Sequence, residues 1–174
     1  MSRRSKAELV ATVGICAGVI ECGKLALAAL PNIEVVTLLT AAFAYVFGWA
    51  GVLSALVFVV IEPIIWGFGP WVVSYFIYWP LVAAVYMLFG KAKLKNRYIL
   101  TGVAVLLTVF FGLLTSFVDL IFFSQSLEGF LVRFFAYYAR GVVFYALQIG
   151  SNAVLFFTVF PFLVRKLAKR NNER

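Results

Sequence analysis

Histidine is absent from this 174-residue chain, acidic residues number only seven, and charged residues of both signs make up 13% of it. The lack of histidine excludes His-ligated zinc, the facial triad of non-haem iron and histidine general bases together. The shortage of charge excludes a water-soluble domain, which would carry about a quarter of its residues as Asp, Glu, Lys and Arg. Cysteine is scarce too. Cys16 and Cys22 have neither C-x-x-C nor metal spacing, so they read as small lipid-compatible packing residues.

What the chain has is apolar bulk: 64% hydrophobic residues and a mean hydropathy of +1.04. A helix rises ~1.5 Å per residue and needs ~20 apolar residues to cross the hydrocarbon. The length therefore allows about six helices with short loops and no second, soluble domain. The expected fold is all-α, a polytopic membrane protein in which residues 1–174 form one integral membrane domain. Its spans are placed at approximately 7–30, 35–47, 52–65, 71–89, 98–123 and 130–164. The first apolar run is longer than a signal-peptide core and has no small-x-small cleavage pattern, so no cleavable signal peptide is expected.

The formal net charge of +8 would suggest nucleic acid were it spread over a surface. It is instead gathered in three clumps: Arg3, Arg4 and Lys6; Lys91, Lys93, Lys95 and Arg97; and Arg165, Lys166, Lys169, Arg170 and Arg174. These flank the expected spans, and by the positive-inside rule they put both termini in the cytoplasm, N-in and C-in. The partner is then the lipid bilayer, with no nucleic acid. No internal repeat strong enough for an inverted-repeat transporter is present.

Eight charges fall in or beside the spans: Glu21, Lys24, Glu34, Glu62, Asp119, Glu128, Arg133 and Arg140. Each costs at least ~2.5 kcal/mol near the bilayer centre and needs a partner, a cavity or a function. With both termini inside, all eight map to the outer half of the membrane or its edge. Periodicity groups them further. Arg133, Tyr137 and Arg140 share a stripe that continues to Gln148 and Ser151. Trp71, Tyr75 and Tyr78 form a second stripe with Trp79 beside it, and Thr108, Gly112, Thr115 and Asp119 a third.

A pocket open to the outside is the simplest container for three such faces. Two plainer readings stand beside it. Trp49, Trp66 and Trp71 suit an interfacial aromatic belt, and the charges can neutralise one another, Glu21 with Lys24 and Asp119 with Arg133. The first span also carries a narrow ridge of Ala7, Ala11, Gly14 and Gly18. Such ridges allow close helix approach in lipid, either within the bundle or against a partner protein.

Several stretches carry a resemblance: Ala7-x-x-x-Ala11, Leu30-Pro31-Asn32-Ile33-Glu34-Val35-Val36-Thr37-Leu38-Leu39, Val46-Phe47-Gly48, and Glu62 followed by Gly67-Phe68-Gly69 and Trp71. Over nearly its whole length the chain resembles a substrate-binding (S) component of an energy-coupling-factor (ECF) vitamin transporter. Within that family it resembles a branch linked to cobalamin or its precursors. The resemblance implies high-affinity capture of a vitamin ligand at the outer face of a bacterial cell membrane. It further implies docking through the Ala7/Ala11 face on a transmembrane coupling protein with two cytoplasmic ATPases, then toppling to release the vitamin inward.

On the same resemblance the chain is not an enzyme and uses no cofactor and no metal. It contains no G-x-x-x-x-G-K-[ST] of its own. The turns around Asn32 and Glu34 and from Glu62 through Trp66 to Trp71 resemble gating loops. Tyr75, Tyr78, Trp79, Arg133, Tyr137 and Arg140 would line the site, with Asp119 on the facing stripe. Two rival readings remain: a membrane-embedded enzyme built on Glu21, Glu62 and Asp119, and a small channel or secondary transporter using the charges as a relay.

Overall fold

The structure, a computed structural model, describes residues 5–30, 33–124 and 128–172, and among these it contains helices and turns with no strand. The helices are α1 (Lys6–Ala26), α2 (Val36–Phe47), α3 (Trp49–Trp66), α4 (Trp71–Lys91), α5 (Arg97–Phe123) and α6 (Phe130–Asn172). Five of them are long and apolar enough to cross a membrane. The 12 residues of α2 extend only roughly 18 Å, well short of the ~30 Å hydrocarbon.

The distribution of side chains is that of a protein solvated by lipid. Glu21, Thr37, Thr40, Ser54, Glu62, Ser74, Thr108, Ser116, Gln148 and Asn152 are buried, whereas Val10, Ile64, Phe68, Leu106, Val132 and Val143 are largely exposed. In water this inversion would be costly; in a bilayer it satisfies polar groups inside and lipid outside. The chain is a multi-pass helical membrane protein.

The short helix is the centre of the bundle. α2 packs against α1, α3, α4 and α6, while α1–α3, α3–α4, α4–α5 and α5–α6 form the surrounding contacts. Eight of its residues are buried, among them Val36, Thr37, Thr40, Ala41 and Ala44. A helix wrapped by protein need not match the bilayer thickness, which is how so short an element is accommodated.

Helix ends follow local chemistry. Ser5 and Glu8 close a capping box at the start of α1. The Asn96 side chain accepts from the Tyr98 and Ile99 N–H groups to begin α5. The first span ends at Ala26, not at residue 30, because Leu27, Ala28 and Leu30 make tight bonds three residues back, to Lys24, Leu25 and Leu27. Gly48-Trp49-Ala50-Gly51, expected as a four-residue turn, reduces to Gly48 alone. Its φ of 62° is open to glycine at little cost, and α3 starts at Trp49. The last helix continues past residue 164 to Asn172.

Alternation of direction puts the starts of α2, α4 and α6 at one end of the bundle, the Glu62 end. Gly48, the 92–96 connection and the Arg165–Arg170 turns lie at the other, the basic end. The basic end is sealed by aromatic packing. Tyr86 contacts Phe156 and Phe160 with ring centroids 5.4 Å apart, and the Tyr86 hydroxyl donates to the Leu100 carbonyl at 2.5 Å.

Backbones approach closely at Gly51, where an added Cβ would lie 2.3 Å from the Ala44 nitrogen of α2. Backbone cannot yield there as a side chain could. Gly51→Ala is expected to destabilise the fold by about 1–3 kcal/mol, read as a lower unfolding temperature in detergent. Gly102→Ala in α5, where a Cβ meets nothing within 4 Å, is expected to be neutral or to raise it.

Candidate functional site

The polar residues of the Glu62 end assemble into two distinct places, one closed and one open. The closed one begins on α1, whose buried side presents Cys16, Ala17, Ile20 and Glu21 to the bundle. Lys24, one turn further on, does not pair with Glu21 as its spacing allowed. It reaches across to Glu62 of α3, with which it forms an ion pair. Its ammonium is framed by aromatic rings, 5.2 Å from the Tyr75 centroid, 5.4 Å from Trp66 and 5.9 Å from Phe58.

Glu62 is fully buried, and the Glu21 carboxyl adjoins it. Both Glu21 oxygens and Oε1 of Glu62 lack a conventional hydrogen-bond partner among the described residues. Two carboxyl groups and one ammonium thus share an interior site.

Beside this cluster the α4 stripe forms an aromatic block. Tyr75 and Trp79 meet edge to face at 5.6 Å, Tyr78 packs on Phe111 of α5 at 4.6 Å, and Trp71 meets Tyr75 at 5.0 Å. Phe58 of α3 completes it, 5.9 Å from Trp79. These rings pack on one another in the region expected as a hollow lined by α4. The Trp79 indole N–H and the Ser74 hydroxyl have no hydrogen-bond partner among the described residues.

A polar junction joins this block to α2, α5 and α6. Glu34 accepts from the Thr37 N–H at 2.8 Å and from its hydroxyl at 2.5 Å. Asn152 of α6 donates to Glu34 at 3.0 Å and to the Thr108 hydroxyl at 3.1 Å. Sequence reasoning missed Asn152, although it lies four residues after Gln148 on one helix face. Ser151, taken as the end of that stripe, spends its hydroxyl on the Gln148 carbonyl at 3.0 Å.

The open place is a cavity of about 400 Å³ between α5 and α6, lined by Asp119, Phe123, Tyr137, Arg140, Gly141 and Tyr145. Asp119, Tyr137 and Arg140 were expected at one site and meet there. Asp119 and Arg140 make no ion pair with each other or with any other described residue. The Arg140 guanidinium rests over the Tyr137 ring at 5.0 Å.

Tyr145 was not foreseen. Its ring fills the space that Gly112 and Gly141 leave, and its hydroxyl lies 3.2 Å from both Thr115 and Ser116. Those two glycines, on helices that pack together, were the signal available in the sequence.

The remaining expected residues lie apart from both places or at their rims. Arg133 donates to the Ser124 hydroxyl at 2.8 Å near the start of α6, so the Asp119–Arg133 pair does not form. Trp66 is exposed at the end of α3. Asn32 lies outside the described residues. Ala7, Ala11, Gly14 and Gly18 are all exposed, and a Cβ on Gly14 or Gly18 would meet nothing within 4 Å. The ridge is therefore not used for packing among the described residues. Among these residues no cluster of three or more metal-ligating side chains occurs.

The Lys24–Glu62 pair carries a measurable cost if broken. Lys24→Met leaves the Glu62 carboxylate buried without its ammonium and is expected to cost roughly 3–5 kcal/mol. The double change Lys24→Met, Glu62→Gln is expected to restore most of it. Thermal unfolding of the purified variants in detergent checks both.

Comparison of the chain with family models, with curated proteins and with solved structures finds no match.

Proposed function

We propose that this chain captures a vitamin or vitamin precursor at the outer face of a bacterial cell membrane and delivers it to an ATP-driven ECF module, acting as the S component. In this reading all six helices form the membrane domain, α2 traversing it inside the bundle. The basic end lies in the cytoplasm and the Glu62 end faces out. The orientation rests on the lysine and arginine clumps at one end only.

The observation that carries the proposal is the cavity between α5 and α6, where Asp119 and Arg140 open on one space without neutralising each other. A buried or half-buried pair that served only stability would be expected to meet. Held apart, an acid and a guanidinium beside Tyr137 and Tyr145 suit a ligand with hydrogen-bonding groups and flat apolar surface. A volume of about 400 Å³ falls in the ~300–1,000 Å³ range of small-molecule sites. A corrinoid is larger than that range serves, so the cobalamin-related assignment further requires the connections at the Glu62 end to open around it.

Delivery needs a partner, and the exposed ridge of Ala7, Ala11, Gly14 and Gly18 supplies a face for close approach by a helix of a transmembrane coupling protein. The chain binds and hands over; the two ATPases hydrolyse. The Glu21–Lys24–Glu62 cluster favours a second reading, an ion-coupled secondary transporter, since buried ionisable groups in spans commonly serve relays.

The two readings separate in vesicles. Under the first, purified protein binds its vitamin alone but accumulates it only with ATP and the module; uptake driven by an ion gradient without ATPases selects the second. A corrinoid bound on purification would show in the absorbance spectrum, and thermal shifts across a vitamin panel identify other ligands. Arg140→Ala is expected to weaken binding by about tenfold to a hundredfold, and unchanged affinity removes Arg140 from the site.

A further inference from the structure

At the basic end a second cleft, of about 270 Å³, opens between the first turn of α5 and the late turns of α6. It is lined by Arg97, Phe157, Thr158, Pro161, Phe162 and Arg165. We infer that this cleft binds the headgroup of an anionic phospholipid.

Four observations meet there. Two guanidinium groups from different helices face one small cleft, and neither makes an ion pair with a described residue. No acid occurs between Glu62 and Asp119 or over residues 129–172, so nothing in those stretches competes for the arginines. The Arg97 guanidinium is stacked 4.5 Å from the Phe157 ring, which holds it in place before any ligand arrives. Pro161 within α6 has no N–H for the Phe157 carbonyl four residues earlier, so that carbonyl loses its usual helical donor beside two residues that line the cleft. A phosphate diester bearing a glycerol headgroup matches this set: anionic oxygens for the two arginines, a hydroxyl donor for the carbonyl.

The surroundings distinguish a lipid from a free anion. Val154 lies one turn from Thr158 on the same face of α6 and is exposed, as are Phe162 at the cleft and Ile99 and Tyr98 beside Arg97. Apolar surface thus continues directly from the charged cleft, as an acyl chain requires and inorganic phosphate does not. Basic clefts between helices at the cytoplasmic edge are the usual geometry of anionic headgroup sites. This site is at the opposite end from the Asp119/Arg140 cavity and does not depend on what that cavity binds.

The test is native mass spectrometry of the full chain, titrated with phosphatidylglycerol or phosphatidylcholine. Phosphatidylglycerol is expected to bind at least about tenfold more tightly than phosphatidylcholine. R97Q/R165Q is expected to abolish that preference, with its unfolding temperature in phosphatidylcholine unchanged. K169Q/R170Q removes the same charge outside the cleft and is expected to keep the preference. Should the first double variant fail to fold, R165Q alone is expected to show an intermediate loss. Equal binding of the two lipids overturns the inference, as does equal loss in both double variants, which would mean diffuse charge without a site. Displacement of the lipid by millimolar inorganic phosphate would assign the arginines to a free anion and overturn the lipid assignment.

Discussion

A charge that cannot reach water has to be met by protein, and that requirement organises the Glu62 end of this bundle. Lys24, on the outermost side of α1's inward face, crosses to α3 because Glu62 is buried there with no water to solvate it. The pair draws α1 against α3 and sets Phe58, Trp66 and Tyr75 around the ammonium. From Tyr75 the aromatic block runs through Trp79 and Tyr78 to Phe111. One ionic contact thus fixes the wall against which α4 and α5 are placed.

The open cavity follows a different logic. Between α5 and α6 the helices are spaced by Tyr145, whose ring sits where Gly112 and Gly141 have no side chains. Tyr145 lines the same cavity as Asp119 and Arg140, which make no ion pair with each other. Polar groups that are paired lend stability; polar groups that share a cavity without pairing are available for something else.

Much of this was legible in the sequence, and what was not has identifiable causes. Helix number and type followed from hydropathy, since a 3.6-residue period with few charges leaves little choice. The meeting of Asp119, Tyr137 and Arg140 followed from helical spacing. Spacing within one helix says nothing about which neighbour a face meets, so a single pocket lined by α4, α5 and α6 was expected where two places exist. Pairing of Lys24 with Glu21 stood as one alternative because they share a helix, whereas the interior offered Glu62. Asn152 and Tyr145 stayed hidden for the same reason: their partners Glu34, Thr108, Thr115 and Ser116 come from other helices. The turn at Gly48 was overextended because Gly51 looked like a breaker, when its role is to let α3 touch the α2 backbone.

The central position of α2 bears on how the molecule responds to its membrane. The surrounding helices meet lipid and must tilt or shift when the bilayer thins or thickens. α2 touches mainly protein, so its depth is set by its neighbours' side chains. Glu34, hydrogen-bonded to Thr37 and Asn152, therefore keeps its place relative to α6 whatever the lipid composition, and the interior junction is buffered against the host membrane's thickness.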